Sequence, residues 1–177
     1  MKISHIIVTL AFVLSSSVSV FAQRFAYVNS EYILEQIPEY VSAQKQLDAL
    51  SIQWQDEVDA RFADIELLYQ AYQQDQVVLN EVLRRQREDE IVNKEKEVKD
   101  YQRQKFGFEG DLFKERVRLI EPIQERVSKA IQAIAESQNL DVILDKNSEV
   151  MMLYANPRLD KSDEVIIRLG YKPGNKN

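Results

Sequence analysis

The sequence predicts a mainly α protein with a small β component: a long antiparallel helical hairpin mounted on a small α+β body. Three observations carry this. From Glu39 to Asn139 there are only two glycines and one proline, so a stretch of about 100 residues is free to be helical. Apolar residues at Leu47, Leu50, Trp54, Val58, Phe62, Ile65, Tyr69 and Tyr72 follow one another in steps of three and four, which draws a single stripe along a helix. Strand-like runs occur only at the two ends of the mature chain.

The first of these runs, RFAYVN at 24–29, combines aromatic and β-branched residues and ends at the turn-prone Asn29-Ser30. Residues 31–37, EYILEQI, make two helical turns before Pro38 interrupts them. The stripe then starts, with Val41 as its outlying first member. A single helix of about 100 residues would be about 150 Å long, so the chain is expected to reverse. The periodicity lapses at Gln76–Asn80, where Asn80 is a natural N-cap for a helix led by Glu81. This puts the tip near 77–80 and sets side by side residues whose numbers sum to about 158. Pro38 then stands level with Pro122, which is expected to kink the returning helix and mark the base of the arm.

Beyond Pro122, Ile123, Val127, Ala130, Ile131 and Ile134 continue an amphipathic helix to about Gln138. DVILD at 141–145 and EVMMLY at 149–154, separated by Lys146-Asn147-Ser148, read as a β-hairpin. Ser162 is expected to cap a last helix, 163–169, stopped by Gly170. The division is therefore a body of 24–38 with 122–170, an arm of 39–121, and a tail, 171–177, expected to be disordered. A body of about 60 residues is marginal for a stable core, and DVILD is apolar on both faces, as a strand buried on both sides would be. Both points imply that several copies share one core.

Residues 104–113, QKFGFEGDLF, contain both arm glycines and three phenylalanines. Each glycine inside a helix costs roughly 1 kcal/mol relative to alanine. By the register they lie across from the neighbourhood of Trp54, the only tryptophan. Two readings stay open: Gly107 and Gly110 admit the tryptophan against backbone, or they loosen the arm as a hinge, with Pro122 a further bend point.

The first 22 residues read as an export signal, with Lys2, an apolar run from Ile6 to Leu14 and Val20-Phe21-Ala22 before Gln23. The run is short of the about 20 residues a membrane span needs, which favours cleavage over an uncleaved anchor. Cleavage removes His5, the only histidine, and the chain has no cysteine. Cys/His nucleophiles, Ser/His/Asp triads and the usual zinc ligands thus lose their raw material, so neither catalytic residues, metal nor cofactor is expected. The carboxylates at Asp56-Glu57 and Glu88-Asp89-Glu90 read as solvated helix surface, and Gly107-Phe108-Glu109-Gly110 follows no strand, so it is not a phosphate loop. The mature chain sets 22 basic residues against 29 acidic ones, a net of −7 that argues against nucleic acid as partner. Residues 39–79 hold eight acidic and two basic side chains, whereas 84–105 hold eight basic and six acidic. That contrast favours pairing the two arm helices and leaves Arg84, Arg85 and Arg87 as a basic cluster near the tip.

The combination of signal peptide, FAYVNSEYILEQIPEY, a charged helical hairpin, LIEPIQERVSKAIQAIAESQNLDVILD and LYANPRLDKSDEVIIRL resembles the Skp/OmpH family of periplasmic chaperones over the whole mature chain. The resemblance implies a homotrimer of jellyfish-like architecture, its bodies sharing a small β-structure and its arms surrounding a cavity. It implies a periplasmic holdase that keeps unfolded outer-membrane β-barrel proteins from aggregating without ATP. In that reading Trp54, Phe106, Phe108 and Leu112 are client-facing candidates, and Arg84, Arg85 and Arg87 are candidates for anionic lipid or lipopolysaccharide. Better-known members are basic and this chain is acidic. A structural or adaptor coiled coil of the envelope, without chaperone activity, remains the alternative.

Overall fold

A computed structural model describes residues 24–148 and 152–174. The expected signal peptide at 1–22 lies outside the described residues. Strand β1 (Phe25–Val28) leads into α1 (Ser30–Glu35), capped by the Asn29 side chain, which accepts from the Tyr32 amide. Pro38 opens α2 (Pro38–Asp75), where its missing N–H belongs to the helix's unpaired first turn. After a turn, α3 (Glu81–Phe106) returns, its start held by the Asn80 side chain accepting from the Leu83 amide. Helix α4 (Asp111–Gln138) runs continuously through Pro122 into the body. Strand β2 (Val142–Asp145), a 3₁₀ turn (Pro157–Leu159) and α5 (Ser162–Arg168) complete the chain.

The hairpin register follows the expected sum. Glu57 meets Tyr101, Tyr72 meets Glu88 and Trp54 meets Phe106. Contacts of this kind hold α2 and α3 antiparallel around a narrow core of Val58, Ile65, Ile91 and Val98.

The body core is separate. Val28, Ile33, Ile37, Val127, Ile134, Val165 and Ile166 are among its buried members, and it reaches past both prolines to Ala43, Leu47 and Ile120 at the arm root. Ile33, Ile37, Val165 and Ile166 are fully enclosed where α1, α4 and α5 pack on one another.

Four expectations are corrected here. Among the described residues β2 pairs with β1 and not in a hairpin: the two strands run parallel, Phe25 opposite Val142 through Val28 opposite Asp145, and the arm is the crossover that parallel pairing requires. The Lys146–Ser148 turn does form, but the Asp145 carboxylate is occupied by the Ser30 and Asn147 amides, and residues 152–154 are not strand. Residues 149–151 of that expected strand lie outside the described residues. Second, β2 is not buried on both faces. Val142 and Leu144 remain 40% and 38% exposed because one chain supplies no layer over that face.

Third, Ser162 does not cap α5. It is buried, accepts from the Asn29 amide and donates to Asp160, whose carboxylate takes the Ser162 amide in the capping role. Fourth, the tail is placed as far as Gly174, because the Tyr171 hydroxyl donates to Glu39 at 2.8 Å and the Gly174 carbonyl accepts from Tyr32 at 2.9 Å. Residues 175–177 lie outside the described residues.

Candidate functional site

The arm is held by an unusual set of side chains. Among the described residues no ion pair joins α2 to α3, although the charge contrast of the two helices suggested such pairing. Five cations of α3 bond instead to carboxylates one turn away in the same helix, as in Arg85–Glu81 at 3.0 Å and Arg87–Glu90 at 3.1 Å. Apart from the Val58, Ile65, Ile91 and Val98 core, the contacts that cross the seam each involve a tyrosine or tryptophan. Tyr101 donates to Glu57 and Tyr72 to Glu88, while the Arg61 guanidinium sits 4.2 Å from the centroid of the Tyr101 ring.

The Tyr101–Glu57 bond shifts both of its partners. The Tyr101 hydroxyl, and then the Gln53 amide, hold the Glu57 carboxyl below its usual range, and the carboxylate in turn pushes Tyr101 up. At the arm root the helix-start backbone and the Tyr171 hydroxyl lower Glu39, which also faces Arg126 at 3.5 Å.

QKFGFEGDLF is not the interior of one helix. α3 ends at Phe106, α4 begins at Asp111, and the residues between form a break in which Gly107 and Gly110 are extended and Glu109 is left-handed at φ 54°. A methyl group on Gly107 would overlap the Arg103 carbonyl, and one on Gly110 would lie 2.8 Å from the Gln104 carbonyl. The glycines therefore let the chain fold back on its own helix end, and Trp54 is not among their nearest neighbours. Trp54 packs edge-on against Phe106, with centroids 6.4 Å apart. Lys105 spans the break: its ammonium lies 4.7 Å from the Trp54 ring and 2.7 Å from Asp111, which it holds below the usual carboxylate range.

The nominated client-facing residues separate. Trp54 and Phe106 are half-buried on each other, and Leu112 packs on the body core. Phe108, displayed by the break, is 98% exposed. Phe62 and Tyr69, expected in the seam, are exposed because a two-helix contact is narrower than the stripe. Sequence reasoning missed Ile52, Leu67, Val77, Val78 and Val92, all exposed; their one signal is that they are apolar residues off the stripe. Arg84, Arg85 and Arg87 lie exposed just behind the tip valines, and Arg84 reaches the Gln76 carbonyl at 3.4 Å. Shallow open grooves run beside the seam, one of about 490 Å³ along Arg61, Leu67, Leu68 and Lys94. Among the described residues no helix is long and apolar enough to cross a membrane, and no group of three or more acidic or His/Cys residues is placed to hold a metal.

A small α+β body carrying a long, interrupted helical hairpin with apolar side chains open to solvent defines the class. The chain belongs to the OmpH-like outer membrane protein family, whose model matches residues 24–169. It is 27% identical over 158 residues to the chaperone protein Skp of Yersinia enterocolitica, covering 89% of this chain and 93% of that protein. Its fold is similar to that of an OmpH-like outer membrane chaperone from Caulobacter crescentus, with a TM-score of 0.65 over 83% of each chain at 16% identity.

Proposed function

We propose that the protein is an ATP-independent periplasmic holdase that binds unfolded outer-membrane β-barrel proteins and prevents their aggregation. Its working form is a homotrimer whose arms surround the client. The observation that carries this reading is the arm surface, where Phe108, Val77, Val78, Ile52 and Val92 are each more than 60% exposed. Separate apolar contacts spread along an arm hold a chain weakly at many points and let it go without an energy source.

The trimer reading is supported by the uncovered apolar face of β2 with Phe25 beside it, and by Leu153 and Tyr154, 91% and 82% exposed on the same body. Export to the periplasm follows from the signal-like first 22 residues. The test is dilution of a urea-unfolded barrel protein into buffer without nucleotide. Near-stoichiometric trimer is expected to suppress the rise in light scattering, and an unchanged rise at severalfold excess overturns the holdase reading in favour of an adaptor coiled coil.

The tip supports a second contact. Arg84, Arg85 and Arg87 behind exposed valines suit anionic lipid or lipopolysaccharide phosphates, each cation adding about 1 kcal/mol of attraction near such a surface. Replacing all three by glutamine is expected to weaken binding to anionic liposomes, and unchanged binding removes the lipid contact.

A further inference from the structure

Helix α2 carries a second stripe beside the seam. Asp48, Ile52, Asp59, Phe62, Glu66 and Tyr69 lie three, four or seven residues apart, so at 3.6 residues per turn they share one face. That face looks outward: Ile52, Phe62 and Tyr69 are 63%, 39% and 46% exposed. Its carboxylates are held by neutral groups. Gln44 donates to Asp48 at 3.1 Å, Gln55 to Asp59 at 2.8 Å and Gln70 to Glu66 at 2.9 Å. Glutamine fixes a carboxylate in place and leaves its charge uncompensated, and no ion pair among the described residues involves these three acids.

We propose that this stripe is the client-selecting surface of the arm, and that it takes extended segments in which apolar side chains alternate with cations. The proposal rests on the holdase reading and names the class of client. Apolar residues of the segment lie on Ile52, Phe62 and Tyr69, and its lysines or arginines meet the intervening carboxylates. Length agrees: the 22 residues of helix from Asp48 to Tyr69 span about 31 Å, the reach of about nine or ten extended residues. One transmembrane β-strand has about that length.

The other occupants fit less well. A second copy docked through the same stripe would set rows of carboxylates against each other inside an apolar contact. An anionic membrane would repel them. A member of this family with an acidic arm thus favours cationic stretches of its clients.

The test uses the mature oligomer and three labelled ten-residue peptides with identical apolar residues alternating with Lys, Gln or Glu. Fluorescence anisotropy at low salt is expected to rank them Lys, Gln, Glu, with Lys about fivefold tighter than Gln. The preference should shrink as salt rises. Asp59→Asn/Glu66→Gln should abolish the ranking, Asp59→Lys/Glu66→Lys should reverse it, and Phe62→Ser/Tyr69→Ser should weaken all three peptides alike. Because these positions are exposed, helicity and oligomeric mass should stay unchanged in every variant. An unaltered ranking in the carboxylate variants, or equal binding of the Glu and Lys peptides, overturns the proposal. If that happens while barrel aggregation is still suppressed, the holdase reading stands without it; if the wild type neither binds a peptide nor suppresses aggregation, both fall.

Discussion

Gly107 and Gly110 are positions where one methyl group decides whether the arm can turn. Alanine at either site puts a Cβ against a backbone carbonyl that has no room to yield. Gly107→Ala or Gly110→Ala is therefore expected to destabilise the protein by about 1–3 kcal/mol, read by urea unfolding. Glu109→Gly should be neutral or mildly stabilising, because it relieves a left-handed residue that has a side chain. Unchanged stability in Gly107→Ala would show that the break is not built on close approach. The glycines were legible in the sequence as an anomaly. The break itself was not, because its cause is contact of the chain with its own preceding turn, which no periodicity records.

Among the elements, the seam between α2 and α3 is narrower than its sequence stripe. Val58 and Ile65 were readable as seam residues because they stand seven positions apart on a straight helix, and they are buried against α3, whereas Leu47 of the same stripe belongs to the body core. Phe62 and Tyr69 have equally regular spacing but sit to one side, so burial at the contact excludes them. Ile65→Ala should cost about 2–5 kcal/mol, whereas Phe62→Ala should stay within about 0.5 kcal/mol. Thermal unfolding of the two variants checks the difference, and equal losses would contradict the assigned seam.

The tyrosine–carboxylate pairs give the arm a pH window. Glu57 is depressed below its ordinary 4.5, so its contribution is present above that value and lost as pH falls through the lowered one. Tyr101 is raised above its ordinary 10.0, so its contribution is complete below that value and lost as pH rises through the higher one. Resistance of the arm to urea unfolding should be greatest between the two limits and fall outside them. Tyr101→Phe should flatten both limbs, and unchanged limbs would show that the pair does not couple the helices. Strand pairing was the least legible element. DVILD and RFAYVN were both recognisable as strands, but they pair with each other across more than 110 residues, a separation that no local signal records, while the turn at Lys146–Ser148 pointed to a local partner.

In the whole molecule, two features stay incomplete in one chain: a β-sheet face without a covering layer and an arm whose apolar side chains face water. In the proposed assembly a homotrimer would cover the first and a bound client the second. The family membership and the general fold were readable because strand, proline and helix signals fall in a fixed order at the two ends. The exposed apolar surface proposed to meet clients was only partly so, since Phe108 was a candidate while Ile52 and the tip valines lie off the pattern that identified the arm. The most direct test is the mass and shape of the mature protein with and without one urea-diluted barrel protein, by light scattering coupled to size exclusion. The account predicts an elongated trimer that takes up a single client and remains soluble. A monomer, a long dimer, or a trimer that leaves the client in the aggregate would contradict it.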